Sequence, residues 1–122
     1  MSDTSGLGLA PGQLPPYVEL KDKSVLINSL DSRIVRALVV LGHVHAFLFD
    51  RRLVITSAND GTHAKGSKHY RGKACDVRSH DKTPAERVLF ASILAQQVER
   101  LGVSFFLEHA GTDNEHFHLE VD

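Results

Sequence analysis

The residues with the greatest chemical potential lie in two short stretches. The first runs from Ile55 to Val77 and carries His69 and, seven positions on, Asp76. The second is Glu115-His-Phe-His118, near the C-terminus. An imidazole and a carboxylate from one hairpin-like region, with an imidazole from a later strand, form a mixed nitrogen–oxygen donor set. Three protein ligands of that kind, with a fourth position left to water, are the usual holder of catalytic zinc. Such an imidazole also needs its other nitrogen hydrogen-bonded to fix the tautomer, and the Ser67 hydroxyl or a nearby carbonyl is a candidate partner. On spacing alone, these residues read equally well as a metal site or as satisfied polar groups on an exposed sheet face.

Strands must position them. Arg51–Ser57 is rich in β-branched residues and reads as a strand. A polar loop opening on the turn residues Asn59-Asp-Gly61 follows it. Gly72–Arg78 reads as a second strand, with Ala74, Asp76 and Arg78 on one face and Cys75 and Val77 on the other. Cys75 is then a small buried hydrophobe, not a nucleophile. Val103–Glu108 and His116–Val121 complete the set. In the last strand Phe117, Leu119 and Val121 face the core, while His116, His118 and Glu120 share the opposite face. Alternation also turns Glu108 away from Val103, Phe105 and Leu107, toward the cleft.

Helices supply the remaining layer. Ser29 or Asp31 can cap a helix in which Ile34, Leu38 and Leu41, widened by Val35 and Val39, form an apolar stripe. Gly42 ends or interrupts it, since Val44, Phe47 and Leu48 continue the pattern; His43 and His45 read as packing or surface residues. Thr83-Pro-Ala-Glu86 is a capping box with proline at the first helical position. Phe90, Ile93, Leu94, Val98 and Leu101 then form one face, and Gly102 stops the helix. The pattern predicts an α+β fold, with two main helices packed on a small antiparallel sheet. Residues 1–16, with Pro11, Pro15 and Pro16, read as a flexible N-terminal arm, and residues 17–122 as one domain.

Composition narrows the function. At 122 residues, with 42% hydrophobic and 24% charged content, the chain is long enough to bury a core without staples. A net charge of -1 gives no electrostatic reason to expect nucleic acid or an anionic membrane as partner. The single cysteine excludes an intrachain disulfide. The N-terminus lacks a basic-then-apolar export signal, so synthesis in the cytoplasm is expected, with any action outside following some other route.

Ser67-Lys-His-Tyr-Arg-Gly-Lys-Ala-Cys-Asp76 resembles the S-x-H-x-x-G-x-A-x-D signature of zinc D-alanyl-D-alanine carboxypeptidases and their relatives, which include phage cell-wall endopeptidases and the hedgehog signalling domain. Glu115-His-Phe-His118 is similar to the acid-x-x-H and H-x-H end of the same pattern, and Asp60-Gly-Thr-His63 to the loop of the hedgehog type. The resemblance spans about residues 30–122. It implies zinc held by His69, Asp76 and His118, and a carboxylate that takes a proton from the attacking water and hands it to the leaving amine. Spacing within the carboxypeptidase pattern puts that carboxylate at Glu115. The hedgehog-type relatives place theirs at the end of the preceding strand, here Glu108; the longer loop from His109 to Asn114 argues for Glu115 by carrying Glu108 out of register. His116 would stabilise the oxyanion or hold substrate, with His63, Ser67 and Arg71 as further substrate contacts. Many relatives carry an arginine where this chain has Asn59, leaving Arg71 and Arg78 as its possible replacements.

The resemblance therefore implies a monomeric zinc peptidase cutting peptidoglycan stem peptides, as a carboxypeptidase or endopeptidase of the phage or prophage endolysin kind. The reading from another class is a zinc-containing hedgehog-like binding or structural domain that has lost catalysis. Coincidental histidines on an ordinary α+β domain are the third.

Overall fold

The computed structural model describes residue 9 and residues 12–27, 29–59 and 72–122. The chain is α+β, as the patterning predicts. Five strands form one sheet: β1 (Val18–Leu20), β2 (Leu53–Ser57), β3 (Ala74–Arg78), β4 (Ser104–Glu108) and β5 (His116–Glu120). Two helices, α1 (Ser32–Phe49) and α2 (Pro84–Gln97), pack on it. The spatial order is β1-β2-β3-β5-β4.

The sheet is mixed, which corrects the expectation of a purely antiparallel one. β2–β3, β3–β5 and β5–β4 are antiparallel, but β1 runs parallel to β2. A parallel neighbour needs a long crossover, and α1 provides it between β1 and β2. β1 has only three residues, directly after Pro15-Pro16, too short for an alternation pattern to reveal it.

Asp31 is the α1 cap, its Oδ1 accepting the backbone N–H of Arg33 at 2.9 Å. The helix continues through Gly42 to Phe49. Its length of 18 residues and mean hydropathy of 1.4 would suit a membrane span, yet Ile34, Ala37, Leu38 and Leu41 are buried in the core. A Cβ on Gly42 would stand 2.6 Å from the Pro16 carbonyl oxygen and 2.8 Å from Val18 Cγ2, so the glycine is there to let the β1 approach lie against the helix. α2 begins on the expected capping box between Thr83 and Glu86. A 3₁₀ turn over Glu99–Leu101 and Gly102 at φ 83° close this segment.

The core lies between the helices and one face of the sheet. Ile55, Cys75, Val77, Phe117 and Leu119 meet Ile34, Leu38, Phe90 and Leu94 there. His45 is fully buried among Phe49 and Phe90, a packing histidine, with Nδ1 at 2.7 Å from the Arg51 carbonyl oxygen. Burial pushes its imidazole below the usual value, the Arg51 carbonyl opposing the shift.

Candidate metal centre

Asp76, His116, His118 and Glu108 meet on the sheet face opposite the helices. The strand registers bring them together: Asp76 pairs with His118 and Arg78 with His116 across β3–β5, and Glu108 pairs with His116 across β4–β5. Since β3 and β5 each turn alternate residues to one side, these pairings place the polar side chains in adjoining rows. A register shift between Ile55 and Ser57 sits beside Asp76, and Thr56 Oγ1 donates to the Asp76 carbonyl oxygen at 3.4 Å. Bulges of this kind re-aim strands next to functional sites.

His118 is held from three sides. Nδ1 lies 2.8 Å from Asp76 Oδ1 and 3.7 Å from Glu108 Oε1. Nε2 lies 3.0 Å from Glu120 Oε1. The Phe106 ring lies against the imidazole at 4.8 Å between centroids, tilted by 30°. Burial works against a charged imidazole here, but the bond to Asp76 and the charges of Asp76 and Glu108, with Glu120, outweigh it and raise the His118 pKa. The nitrogen that faces the carboxylate pair is thus Nδ1, while Nε2 is committed to Glu120. One ligand atom from each of Asp76, Glu108 and His118 falls within 4.8 Å of the others.

His116 faces the same cluster. Nδ1 is 2.7 Å from the Asn114 carbonyl oxygen, an acceptor only, so Nδ1 carries a proton. Nε2 is then directed at Glu108 Oε1, at 2.9 Å, with Asp76 Oδ2 at 3.5 Å.

Glu115 lies elsewhere. Its Oε2 accepts Ser79 Oγ at 2.9 Å and Arg87 Nη1 at 3.1 Å, and its Oε1 accepts the Gly111 N–H at 3.2 Å. Burial opposes its charge, but the hydrogen bonds from Ser79 and Gly111 and the Arg87 guanidinium prevail and hold the carboxyl below its usual range. It ties together the end of β3, the helix α2 and the β4–β5 turn. The loop expected to carry Glu108 out of register instead folds back tightly: His109 takes φ 53°, and its carbonyl accepts both the Thr112 N–H and hydroxyl. Glu108 therefore stays directly opposite His116.

The structure brings together Asp76, His116, His118 and Glu108 from the sequence reading, and separates Glu115 from them. His63, Ser67, His69 and Arg71 lie outside the described residues. Glu120 and Phe106 received no site role from sequence; alternation placed Glu120 on the histidine face, but only the paired strands put Phe106 against His118. Asn59 joins residue 29, its Oδ1 accepting the Ser29 N–H at 3.1 Å. Comparison with protein-family models and with characterised proteins finds no match to this chain.

Proposed function

We propose that the chain is a zinc-dependent peptidase acting on peptidoglycan stem peptides, with Asp76, His118 and His69 as ligands and Glu108 as the proton acceptor. The observation that carries this reading is the convergence of Asp76, Glu108 and His118 within 4.8 Å, from three adjacent strands. Imidazole nitrogen with carboxylate oxygen is a donor set that suits zinc. Two carboxylates aimed at one point also repel unless a cation lies between them, and His116 and His118 both face the pair. When bound, zinc supplies Lewis acidity, lowering the pKa of a water and polarising a peptide carbonyl.

The chain's own residues do the rest. Asp76 and His118 would hold the ion, His118 through Nδ1. Glu108, whose side chain is 38% exposed, has room to meet a substrate and takes the proton from the nucleophile before passing it to the leaving amine. His116 lies against Glu108, Nε2 at 2.9 Å from Oε1, and limits where that side chain can sit. Glu115, with both oxygens engaged by three donors, keeps the β4–β5 turn in place. On this reading the protein works as a monomer on cell-wall peptide after release from the cytoplasm, and not on nucleic acid or a membrane.

The test is incubation of the zinc-loaded protein with purified muropeptides and identification of products by mass spectrometry, with zinc content measured on the same sample. Shortened stem peptides, lost in Glu108→Gln, are the expected result. Bound zinc with intact muropeptides would point to the binding-domain reading, and absence of zinc would remove the metal centre altogether.

A further inference from the structure

On the helix side of the sheet, one buried titratable group has no part in the proposed chemistry. His45 is fully buried near the C-terminal end of α1. Its Nδ1 lies 2.7 Å from the Arg51 carbonyl oxygen, which can only accept, so Nδ1 carries the proton. Nε2 is then a bare lone pair, covered from solvent and without a hydrogen-bond partner among the described residues. The ring makes T-shaped contacts with Phe49 and Phe90, at 5.0 and 5.7 Å between centroids. The same two rings already face a buried cation. Lys82 Nζ lies 4.8 Å from the Phe90 centroid and 5.7 Å from that of Phe49, and its side chain is closed off from solvent. That ammonium is satisfied, donating to the Arg78 carbonyl oxygen at 3.1 Å and to Asp81 Oδ1 at 3.2 Å. A second positive charge at His45 would have no such partners.

We infer that His45 is an acid-operated latch, whose protonation at Nε2 frees the C-terminal end of α1 from the turn between β3 and α2. The latch is independent of the peptidase reading. A neutral imidazole with one unpaired nitrogen costs far less to bury than an unpaired charge. Three charged groups act on the ring: Lys82 and Asp81 in the turn, and Arg51 just before β2. Lys82 and Arg51 repel an imidazolium, and Asp81, which attracts it, is engaged by Lys82. On α2, Glu86 is held by the Thr83 N–H and by Arg51. Arg51 is the clasp of this region. Its Nη2 donates to the Asp81 carbonyl oxygen at 3.4 Å and to Glu86 Oε1 at 3.3 Å, while its own carbonyl holds His45. Turning a charged ring out to hydrate Nε2 breaks the bond to Arg51 and opens the clasp. The direction in pH follows. Burial keeps the folded-state value below the ordinary 6.5, so the unfolded chain takes up the proton first as pH falls. Stability is therefore complete above that value and is lost on the acid side, opposite in sign to His118.

The experiment follows backbone amide exchange in the full chain at about pH 7.5 and about pH 5, on either side of the ordinary imidazole value. Rates are corrected for the intrinsic effect of pH. The wild-type protein is compared with His45→Asn, whose amide nitrogen can still donate to the Arg51 carbonyl but gains no proton. In the wild type, amides of the last turns of α1 and of the β3–α2 turn should lose protection about 10-fold or more at acid pH, the effect of one unit of pKa shift. The paired strands β3, β5 and β4 should change much less, and His45→Asn should show the same protection at both values. No loss in the wild type, an equal loss in His45→Asn, or an equal loss throughout the chain would overturn the latch. Should His45→Asn not fold, imidazole nitrogen NMR of the wild-type protein decides. The His45 ring is expected to hold its single proton on Nδ1 and to gain a second only as the α1 amides open. A ring that titrates at the ordinary value with those amides undisturbed would overturn the assignment.

Discussion

Glu108 and His116 face each other across the β4–β5 pairing, with Oε1 and Nε2 2.9 Å apart. On the proposed peptidase reading, that contact favours Glu108 over Glu115 as the base. Glu108 shares a face with the candidate ligands and is open to solvent. Glu115, only one residue before His116, is buried and saturated with donors from Ser79, Arg87 and Gly111.

The two acids should respond differently to the same change. Glu108→Gln is expected to keep its zinc and fold normally, while kcat falls by about 10²–10⁴, the usual cost of a lost general base. Glu115→Gln removes a charge that accepts three hydrogen bonds and turns an amide N–H toward the Gly111 N–H. It should cost about 1–3 kcal/mol of stability and leave kcat of the folded fraction nearly unchanged. Urea denaturation beside steady-state kinetics checks both; a stable Glu115→Gln protein without turnover would return the base to Glu115.

Glu120 should matter to the metal without touching it. By accepting from His118 Nε2 it would leave Nδ1 as the nitrogen for the proposed ion, and such outer partners are typically worth about 10–100-fold in metal affinity. Glu120→Leu is expected to weaken zinc binding by that order in a chelator-competition titration. Glu120→Gln, whose amide oxygen can still accept, should lose less. Equal affinities in all three proteins would show that the contact has no part in holding the ligand.

The stabilising effect of zinc should grow with pH. In the metal-free protein the His118 pKa is raised, with burial opposed by the stronger pull of Asp76, Glu108 and Glu120. A histidine with a raised folded-state pKa contributes stability that is complete below its unfolded value, near 6.5, and is lost as pH rises through the folded value. Zinc takes the place of the Nδ1 proton, so the loaded protein is spared that loss, whereas at acid pH protons compete with the ion. The melting-temperature gap between zinc-loaded and chelated protein is expected to widen from pH 6 to pH 8. A constant gap would mean that ion and proton do not compete at His118.

Gly42→Ala tests the packing of α1 against the approach to β1. The added methyl would meet backbone oxygen at Pro16, which cannot swing aside as a side-chain tip does. Despite the better helix propensity of alanine, the protein should lose about 1–3 kcal/mol by overpacking. Thermal denaturation showing a gain instead would mean that the segment before β1 yields freely.

Much of the molecule was written in the sequence by itself, because it depends on neighbours along the chain. The Thr83–Glu86 capping box needs only a three-residue spacing, and the apolar stripe of α1 only a helical period. Two-residue alternation alone set Asp76 apart from Cys75 and Val77, and His116, His118 and Glu120 apart from Phe117 and Leu119. The tertiary structure decided what depends on register between strands. Glu108 is the acid beside the histidines because β4 pairs with β5 so that it stands opposite His116, and loop length by itself does not determine that pairing. Glu115 is committed because Ser79 and Arg87, 36 and 28 residues away, converge on it. It precedes β5, where no alternation rule assigns its side chain to a face. β1 finds a parallel partner only after the whole of α1 has crossed the sheet, so three residues of unremarkable sequence became a strand through a contact that no local pattern encodes.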